Sequence, residues 1–176
     1  LEGNIVSFST PENYNGTEIF TIIVTDGSES DSQNIIVTVN AINDAPVATT
    51  GLSGTTSEDQ SVVISLSGSD VDGDVLTFSL ASDATNGSVI LEGSFATYTP
   101  NQDFNGTDSF TFTVSDGELS DNANVTLTID AVNDAPVLAT VSDVSFDEDG
   151  LGSTSLSASD VDGDSLEFSI TGGSDI

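Results

Sequence analysis

A single offset organises this sequence. Leu1-Glu2-Gly3 recurs as Leu91-Glu92-Gly93, and Asn15-Gly16-Thr17 as Asn105-Gly106-Thr107. Asn43-Asp44-Ala45-Pro46-Val47 returns as Asn133-Asp134-Ala135-Pro136-Val137, and Ser69-Asp70-Val71-Asp72-Gly73-Asp74 as Ser159-Asp160-Val161-Asp162-Gly163-Asp164. The offset is 90 each time, with no gap. Roughly 36 of the 86 overlapping pairs are identical, far more than shared composition produces. A unit of this length can bury a core of its own, so the repeat is a small domain rather than one turn of a solenoid.

Inside a unit the apolar residues alternate. Phe110, Phe112 and Val114 are interleaved with Thr111, Thr113 and Ser115, and Val125, Leu127 and Ile129 with Thr126, Thr128 and Asp130. Period 2 is the pattern of a strand with one buried face. Phe20, Ile22 and Val24 carry it in the preceding copy. Residues 62–66, 76–80, 88–91 and 95–98 are further candidate strands. Asp26-Gly27, Asn86-Gly87, Asn105-Gly106 and Asp116-Gly117 mark turns. No segment carries a helical apolar stripe. About seven strands per unit predict an all-β fold, a tandem series of antiparallel Greek-key β-sandwich domains.

Composition then removes most chemistry. The chain of 176 residues has 30 Asp plus Glu and no Lys, Arg, His, Cys, Met or Trp, for a formal charge of −30. Nothing is present to neutralise phosphates, which excludes nucleic acid as a partner. An acidic membrane surface repels such a chain, and no apolar run approaches the length of a span. Zinc sites of the usual kind, thiol nucleophiles, His-containing triads and Schiff bases are excluded with the residues that make them. A carboxylate pair for glycoside hydrolysis is the one catalytic option left. No pair stands apart from the repeated clusters, so the chain is not expected to be an enzyme. With 36% apolar residues in regular bursts, the chain can form cores despite its self-repulsion. Bound divalent cation is the expected counter-charge.

The carboxylates fall into repeated groupings: Glu58-Asp59, matched by Asp147-Glu148-Asp149; Asp70-Val71-Asp72-Gly73-Asp74; the turn at Asp116-Gly117; and Asp130-Ala131-Val132-Asn133-Asp134-Ala135-Pro136. Clustered oxygen ligands suit Ca²⁺, which takes six to eight of them in tolerant geometry. An EF-hand does not fit: counting from Asp70, Gly73 falls at position 4 rather than 6, and Ala81 stands where the bidentate Glu belongs. The oxygens must converge from separate loops.

Asn-Asp-Ala-Pro at the unit boundary, together with Ser-Asp-Val-Asp-Gly-Asp and the following Leu-x-Phe-Ser, resembles the cadherin repeat, and most nearly the bacterial cadherin-like modules of large surface proteins. The resemblance implies Ca²⁺ at the junctions between consecutive domains. At the second junction it implies Glu58 or Asp59 and Asp103 from the domain before, Asp130, Asn133 and Asp134 from the linker, and Asp160 and Asp162 from the domain after. At the first it implies Asn40, Asn43 and Asp44 with Asp70, Asp72 and Asp116. Asp74 and Asp164 are further candidates without a sure counterpart. The linkers depart from the family pattern in Ala131, Val132 and Ile42, and in Asn40 where the next copy has Asp130. Fewer charged ligands imply fewer or weaker ions.

Plainer roles compete at each position. Asp-Gly is hairpin chemistry first, so Asp116-Gly117 serves equally well as a turn. Asp143 and Asp147 read as solvated surface. Asn15, Asn86, Asn105 and Asn124 sit in glycosylation sequons, and the Asn-Gly pairs among them read as turns. Close carboxylates such as Asp70 and Asp72 or Asp160 and Asp162 repel one another, which favours metal there.

Boundaries at Pro46 and Pro136 divide the chain into the C-terminal half of a unit (1–46), a complete unit (47–136) and the N-terminal half of another (137–176). The sequence begins without a signal-peptide pattern, as a window from a longer array does. Two arrangements would complete the half-units: a continuous array, or head-to-tail assembly in which the tail of one copy joins the head of another. The function expected is a calcium-rigidified structural repeat of an extracellular or cell-surface bacterial adhesin, stalk or filament, with neighbouring repeats as partners. The alternative is a carbohydrate- or partner-binding module on the same fold, with a glycan or cell-surface ligand.

Overall fold

The computed structural model describes residues 4–172. The Leu1-Glu2-Gly3 copy of the repeat and the last four residues of the 137–176 half-unit lie outside that range. Among the described residues all regular structure is β: β1 Gly16–Thr25, β2 Ser30–Val39, β3 Val47–Ala48, β4 Leu52–Ser57, β5 Val62–Ser65, β6 Gly68–Ser69, β7 Thr77–Ser82, β8 Gly87–Glu92, β9 Phe95–Pro100, β10 Gly106–Ser115, β11 Ser120–Asp130, β12 Val137–Leu138 and β13 Ala158–Ser159.

The central unit, β3 to β11, is a sandwich. One sheet has the order β4-β11-β10-β7 and the other β5-β9-β8, with β3 and β6 forming a short separate pair. Alternation decides which residues meet between the sheets. Phe110, Phe112 and Val114 of β10 and Val125, Leu127 and Ile129 of β11 are buried, and they pack with Ile64, Val89, Ala96 and Tyr98 from the facing sheet. The six positions on β10 and β11 remove side chains from water at about 1.5–3 kcal/mol each.

The opposite face of the four-stranded sheet is nearly free of charge. Thr107, Ser109, Thr111, Thr113 and Ser115 of β10 lie beside Thr128, Thr126, Asn124, Asn122 and Ser120 of β11. Only Asp130, at the end of β11, is acidic in these rows. The reason is electrostatic. Facing residues on adjacent strands lie about 5 Å apart, like charges there are destabilising, and a chain without cations has no opposite charge to interleave. Thr serves instead, and it favours the strand as well.

One pairing departs from the antiparallel expectation. β4 runs parallel to β11, from Val125↔Leu52 to Asp130↔Ser57. The segment Leu-Ser-Gly-Thr-Thr-Ser has little apolar alternation, so it carries no strand signal. Its seat is made by Gly54: a Cβ there would approach Ile64 Cγ1 to 3.1 Å and Leu127 Cδ2 to 3.3 Å. A strand glycine at such a place permits close packing against the edge.

The flanking half-units repeat these pairings. The β1–β2 register, Gly16↔Val39 to Thr25↔Ser30, is that of Gly106↔Ile129 to Ser115↔Ser120 displaced by 90. Likewise Val137↔Ser159 reproduces Val47↔Ser69. What differs is cover. Phe20, Ile22 and Val24 are 37%, 42% and 67% exposed, whereas Phe110, Phe112 and Val114 are exposed by 1% or less. Phe8 and Phe20 pack as a tilted pair, 4.9 Å between centroids, on the open face of the hairpin.

Candidate metal centre at the domain junctions

Each junction is built from three short pieces of chain, and backbone N–H groups fix their carboxylates. Asp70 Oδ1 accepts from the N–H of Asp72 at 2.8 Å, Gly73 at 3.1 Å and Asp74 at 3.4 Å. Asp160 Oδ1 accepts from Asp162 and Asp164 in the same way, at 3.1 and 3.2 Å. Such Asx turns satisfy one oxygen locally and leave the rest of the cluster turned together. Gly73 and Gly163 supply the left-handed backbone at φ 82° and 77°. Asp70–Asp72–Asp74 and Asp160–Asp162–Asp164 each bring three ligand oxygens within 4.8 Å of one another. Asp74 and Asp164, carried in the sequence only as further candidates, thus belong to the clusters.

The linker then docks on this loop. The N–H of Asp134 donates to Asp162 Oδ2 at 2.7 Å, and the N–H of Asp44 donates to Asp72 Oδ2 at 2.8 Å. At the second junction the preceding domain closes the arrangement. Glu58, 3% exposed, accepts the N–H of Val132 on Oε1 and the Asn105 side-chain amide on Oε2 at 3.4 Å. Its own N–H donates to the Asp130 carbonyl at 2.9 Å. Asp59 Oδ1 accepts the N–H of Asp103 at 3.3 Å, and both residues hold left-handed backbone, at φ 59° and 56°.

Two three-carboxylate groups therefore form across the second junction: Glu58, Asp134 and Asp162, and Asp59, Asp103 and Asp134, each within 4.8 Å. Asp134 belongs to both. Its pKa is raised, first by burial and then by the charges of Asp103, Asp162, Asp59 and Glu58. Asp130 takes part through its carbonyl while its side chain is exposed. Asn133 donates its amide to the Asp134 carbonyl at 3.0 Å.

At the first junction Asn43 donates to Asp116 Oδ2 at 2.9 Å. Asp116 Oδ1 is used within its own turn, accepting from Glu118 and Leu119 at 2.7 Å each. The Leu119 N–H, the Asn43 amide and the Glu118 N–H together hold the Asp116 pKa down. Asp116 is therefore both a turn residue and a linker contact. Asn40 lines the cleft of this junction with Asn13, Asp44 and Asp72.

Three structural participants were not singled out from the sequence. Asn105 reaches Glu58 although its Asn-Gly-Thr context marks a turn. Asp121 Oδ2 accepts the Ala48 N–H at 2.9 Å, and its place in the repeat, shared with Asp31, was the available signal. Asp108, 9% exposed, is a buried pin: it accepts from the N–H groups of Thr85 at 3.1 Å, Asn86 at 2.8 Å and Ser109 at 2.8 Å, and from the Tyr98 hydroxyl at 3.1 Å. Burial raises its pKa, but these four donors outweigh that and the net shift is downward. Burial first, then Asp108, pushes the Tyr98 phenol up.

The donor set is oxygen throughout, in a chain with no cation of its own. Asp70 Oδ2 is buried without a hydrogen-bond partner. A buried carboxylate oxygen left unpaired is costly, and one beside Asp72 and Asp74 fits a hard divalent cation by charge and ligand type.

Residues 43–128 match the profile of a family described as a bacterial Ig domain. The central unit is similar to a bacterial Ig domain. The Ig-like unit is thus all-β in architecture and tandem in arrangement, and β1–β2 and β12–β13 repeat parts of it. Similar solved structures include human protocadherin-24 EC1-2, at 21% identity and a TM-score of 0.45, covering 68% of this chain and 62% of that one. An endo-fucoidan hydrolase of glycoside hydrolase family 107, MfFcnA4, is 21% identical with a TM-score of 0.40 over 69% of this chain and 20% of that one. The titin M3 domain matches at 19% identity and a TM-score of 0.31 over 48% of this chain. The chain spans about a fifth of the hydrolase. No curated protein matches the sequence. No helix among the described residues is long and apolar enough to cross a membrane.

Proposed function

We propose that the chain is a calcium-rigidified structural repeat of an extracellular bacterial adhesin, stalk or filament. The observation that carries this reading is the convergence of Glu58, Asp134 and Asp162, from the preceding domain, the linker and the following domain, within 4.8 Å. Three carboxylates from three bodies at that separation repel one another, and their meeting calls for a cation. Glu58, Asp59, Asp103, Asp134, Asp160 and Asp162 would hold Ca²⁺ at the second junction, and Asp44, Asp70, Asp72 and Asp74 at the first, with Asn43 and Asp116 beside them. Bound Ca²⁺ supplies positive charge that cancels the repulsion and joins the three bodies.

The protein's own residues do the rest. Glu58 anchors the linker through Val132, and Asp162 anchors it again through Asp134. The linker is thereby pinned on both sides of the boundary before any ion enters. Extracellular calcium modules bind with dissociation constants of about 10⁻⁴ to 10⁻³ M, so junctions of this kind fill where calcium is plentiful. Binding to the folded arrangement alone stabilises it by mass action. Neighbouring repeats are the partners in this reading, in one continuous array or between copies, and they cover the open apolar face of β1–β2.

Thermal unfolding and small-angle scattering in millimolar calcium and in chelator test the proposal together. Higher melting and a stiff, extended particle with calcium, against lower melting and a broad distribution of shapes without it, are the expected results. Identical melting and shape in both conditions would make the carboxylates solvated surface.

A further inference from the structure

The sheet β5-β9-β8 ends at β8, which has β9 on one side and no strand on the other among the described residues. The Asn101 N–H donates to the Asn86 carbonyl at 2.8 Å, so the even-numbered residues here face β9. By alternation the N–H and carbonyl groups of Gly87, Val89 and Leu91 face outward, along the free edge. Such an edge is a template for another strand. Gly87-Ser88-Val89-Ile90-Leu91 carries no charge, in a chain of net charge −30, and Ile90 is 64% exposed. Asp83 reaches this edge. Its Oδ1 accepts the Val89 N–H at 3.0 Å and the Ala84 N–H at 2.8 Å. The carboxylate thus occupies the middle one of the three outward donors and sets a negative charge beside it.

We infer that Asp83 guards the β8 edge against strand addition by the same edge of a second copy. A second copy is the occupant because β8 is self-complementary. Antiparallel pairing about a two-fold axis at Val89 sets Val89 opposite Val89 and Gly87 opposite Leu91, with no carboxylate among the paired residues. In that pairing each copy surrenders its Asp83–Val89 bond, and the two Asp83 carboxylates meet near the centre of the ladder. The lost hydrogen bonds and the like-charge approach both oppose it. No Lys or Arg is present to relieve the repulsion. Calcium at the junctions plays no part in the guard, which keeps neighbouring copies from zipping together edge to edge.

Sedimentation velocity of the full chain over a concentration range, in chelator, tests this together with hydrogen exchange across residues 87–92. Circular dichroism confirms that variants keep their β content. Asp83→Ala should tighten association by about tenfold or more over the parent, and exchange across 87–92 should slow as concentration rises. Asp83→Asn keeps an acceptor for the Val89 N–H and should give a smaller change in the same direction. Should Asp83→Ala lose β content, Asp83→Asn alone decides. Adding Ile90→Glu to the Asp83 variant returns charge to the edge and should bring both readings back to those of the parent. Unchanged association in the Asp83 variants, or association that leaves exchange across 87–92 independent of concentration, overturns the guard. So does association that Ile90→Glu fails to reverse.

Discussion

The backbone N–H of Asp134 donates to the carboxylate of Asp162 at 2.7 Å, joining the linker to the domain it enters. Ninety residues earlier Asp44 does the same to Asp72 at 2.8 Å. The bond uses one carboxylate oxygen and a neutral donor, so it fixes where the linker lies without lowering the charge of the cluster. Position and neutralisation are thereby separate problems at these boundaries. Hydrogen bonds solve the first, and the second is left to a cation.

Glu58 is the residue at which the two problems can be told apart. Glu58→Gln keeps an oxygen for the Val132 N–H and removes the charge. Thermal unfolding of this variant in chelator should match or exceed that of the parent, because a repulsive charge is gone, while the gain on adding calcium should shrink. Glu58→Ala loses the linker bond as well, and should cost about 1–3 kcal/mol in chelator and more in calcium. Melting curves of both variants with and without calcium give the comparison.

Asp108 sets an acid limit on the central domain that is independent of the junctions. Its pKa is lowered in the folded state by the donors around it. A depressed carboxylate contributes stability that is present above its unfolded pKa and is lost as pH falls through the folded one. The stability of the parent should therefore decline at acidic pH below the ordinary carboxylate range. Asp108→Ala should reduce stability by about 3 kcal/mol at neutral pH, since three backbone N–H groups and a phenol lose their acceptor. It should also flatten that part of the pH profile. Tyr98→Phe removes one donor and should cost about 1 kcal/mol. Denaturant unfolding over a series of pH values measures both effects.

Phe112 is fully buried between the sheets and packs with Phe78 at 6.2 Å between ring centroids. Phe112→Ala should destabilise the central domain by about 3–5 kcal/mol. The equivalent change in the first half-unit, Ile22→Ala, falls on a side chain that is 42% exposed and should cost less than about 1.5 kcal/mol. Equilibrium unfolding of the two variants side by side reads the difference in cover directly.

Gly87 lies against the Tyr98 ring. A Cβ there would come within 2.4 Å of Tyr98 Cε2 and 2.6 Å of the Thr99 carbonyl oxygen. Gly87→Ala should cost about 1–3 kcal/mol by overpacking. Combined with Tyr98→Phe, the clash should persist, because the ring rather than the hydroxyl is in the way. A double-mutant comparison of melting temperatures decides this.

The sandwich was legible because its longest strands alternate cleanly. In β10 and β11 each apolar position counted from the sequence is a core position, and the Asp-Gly and Asn-Gly pairs bound the strands they were expected to bound. What stayed hidden lacks periodicity. β4 contributes Gly54 and a run of hydroxyls to the sheet edge, and β3 and β6 are too short to carry a pattern. A period-2 rule also cannot say which strand takes the edge beside β11, or in which direction it runs. At the junctions the repeat picked out Asp70, Asp72, Asp160 and Asp162 because several carboxylates recur together. Asp108 was passed over as a single polar residue entering an apolar strand, and only its four donors in three dimensions reveal it as a structural pin.

The parallel pairing of β4 with β11 governs how the central domain responds to tension. Asn43 of the linker and Ala48 of β3 are held beside the β10–β11 turn by Asp116 and Asp121. The linker at Val132 leaves from the opposite end, beside Glu58. A pull on the two linkers therefore draws β4 and β11 past each other along their length. The ladder from Leu52 to Ser57 is loaded in shear, so its hydrogen bonds bear the force together and must yield together. A hairpin pulled at its open end gives way one bond at a time. Resistance to stretching is set by the barrier to unfolding, and in this fold that barrier is guarded by the short strand that carries the weakest sequence signal.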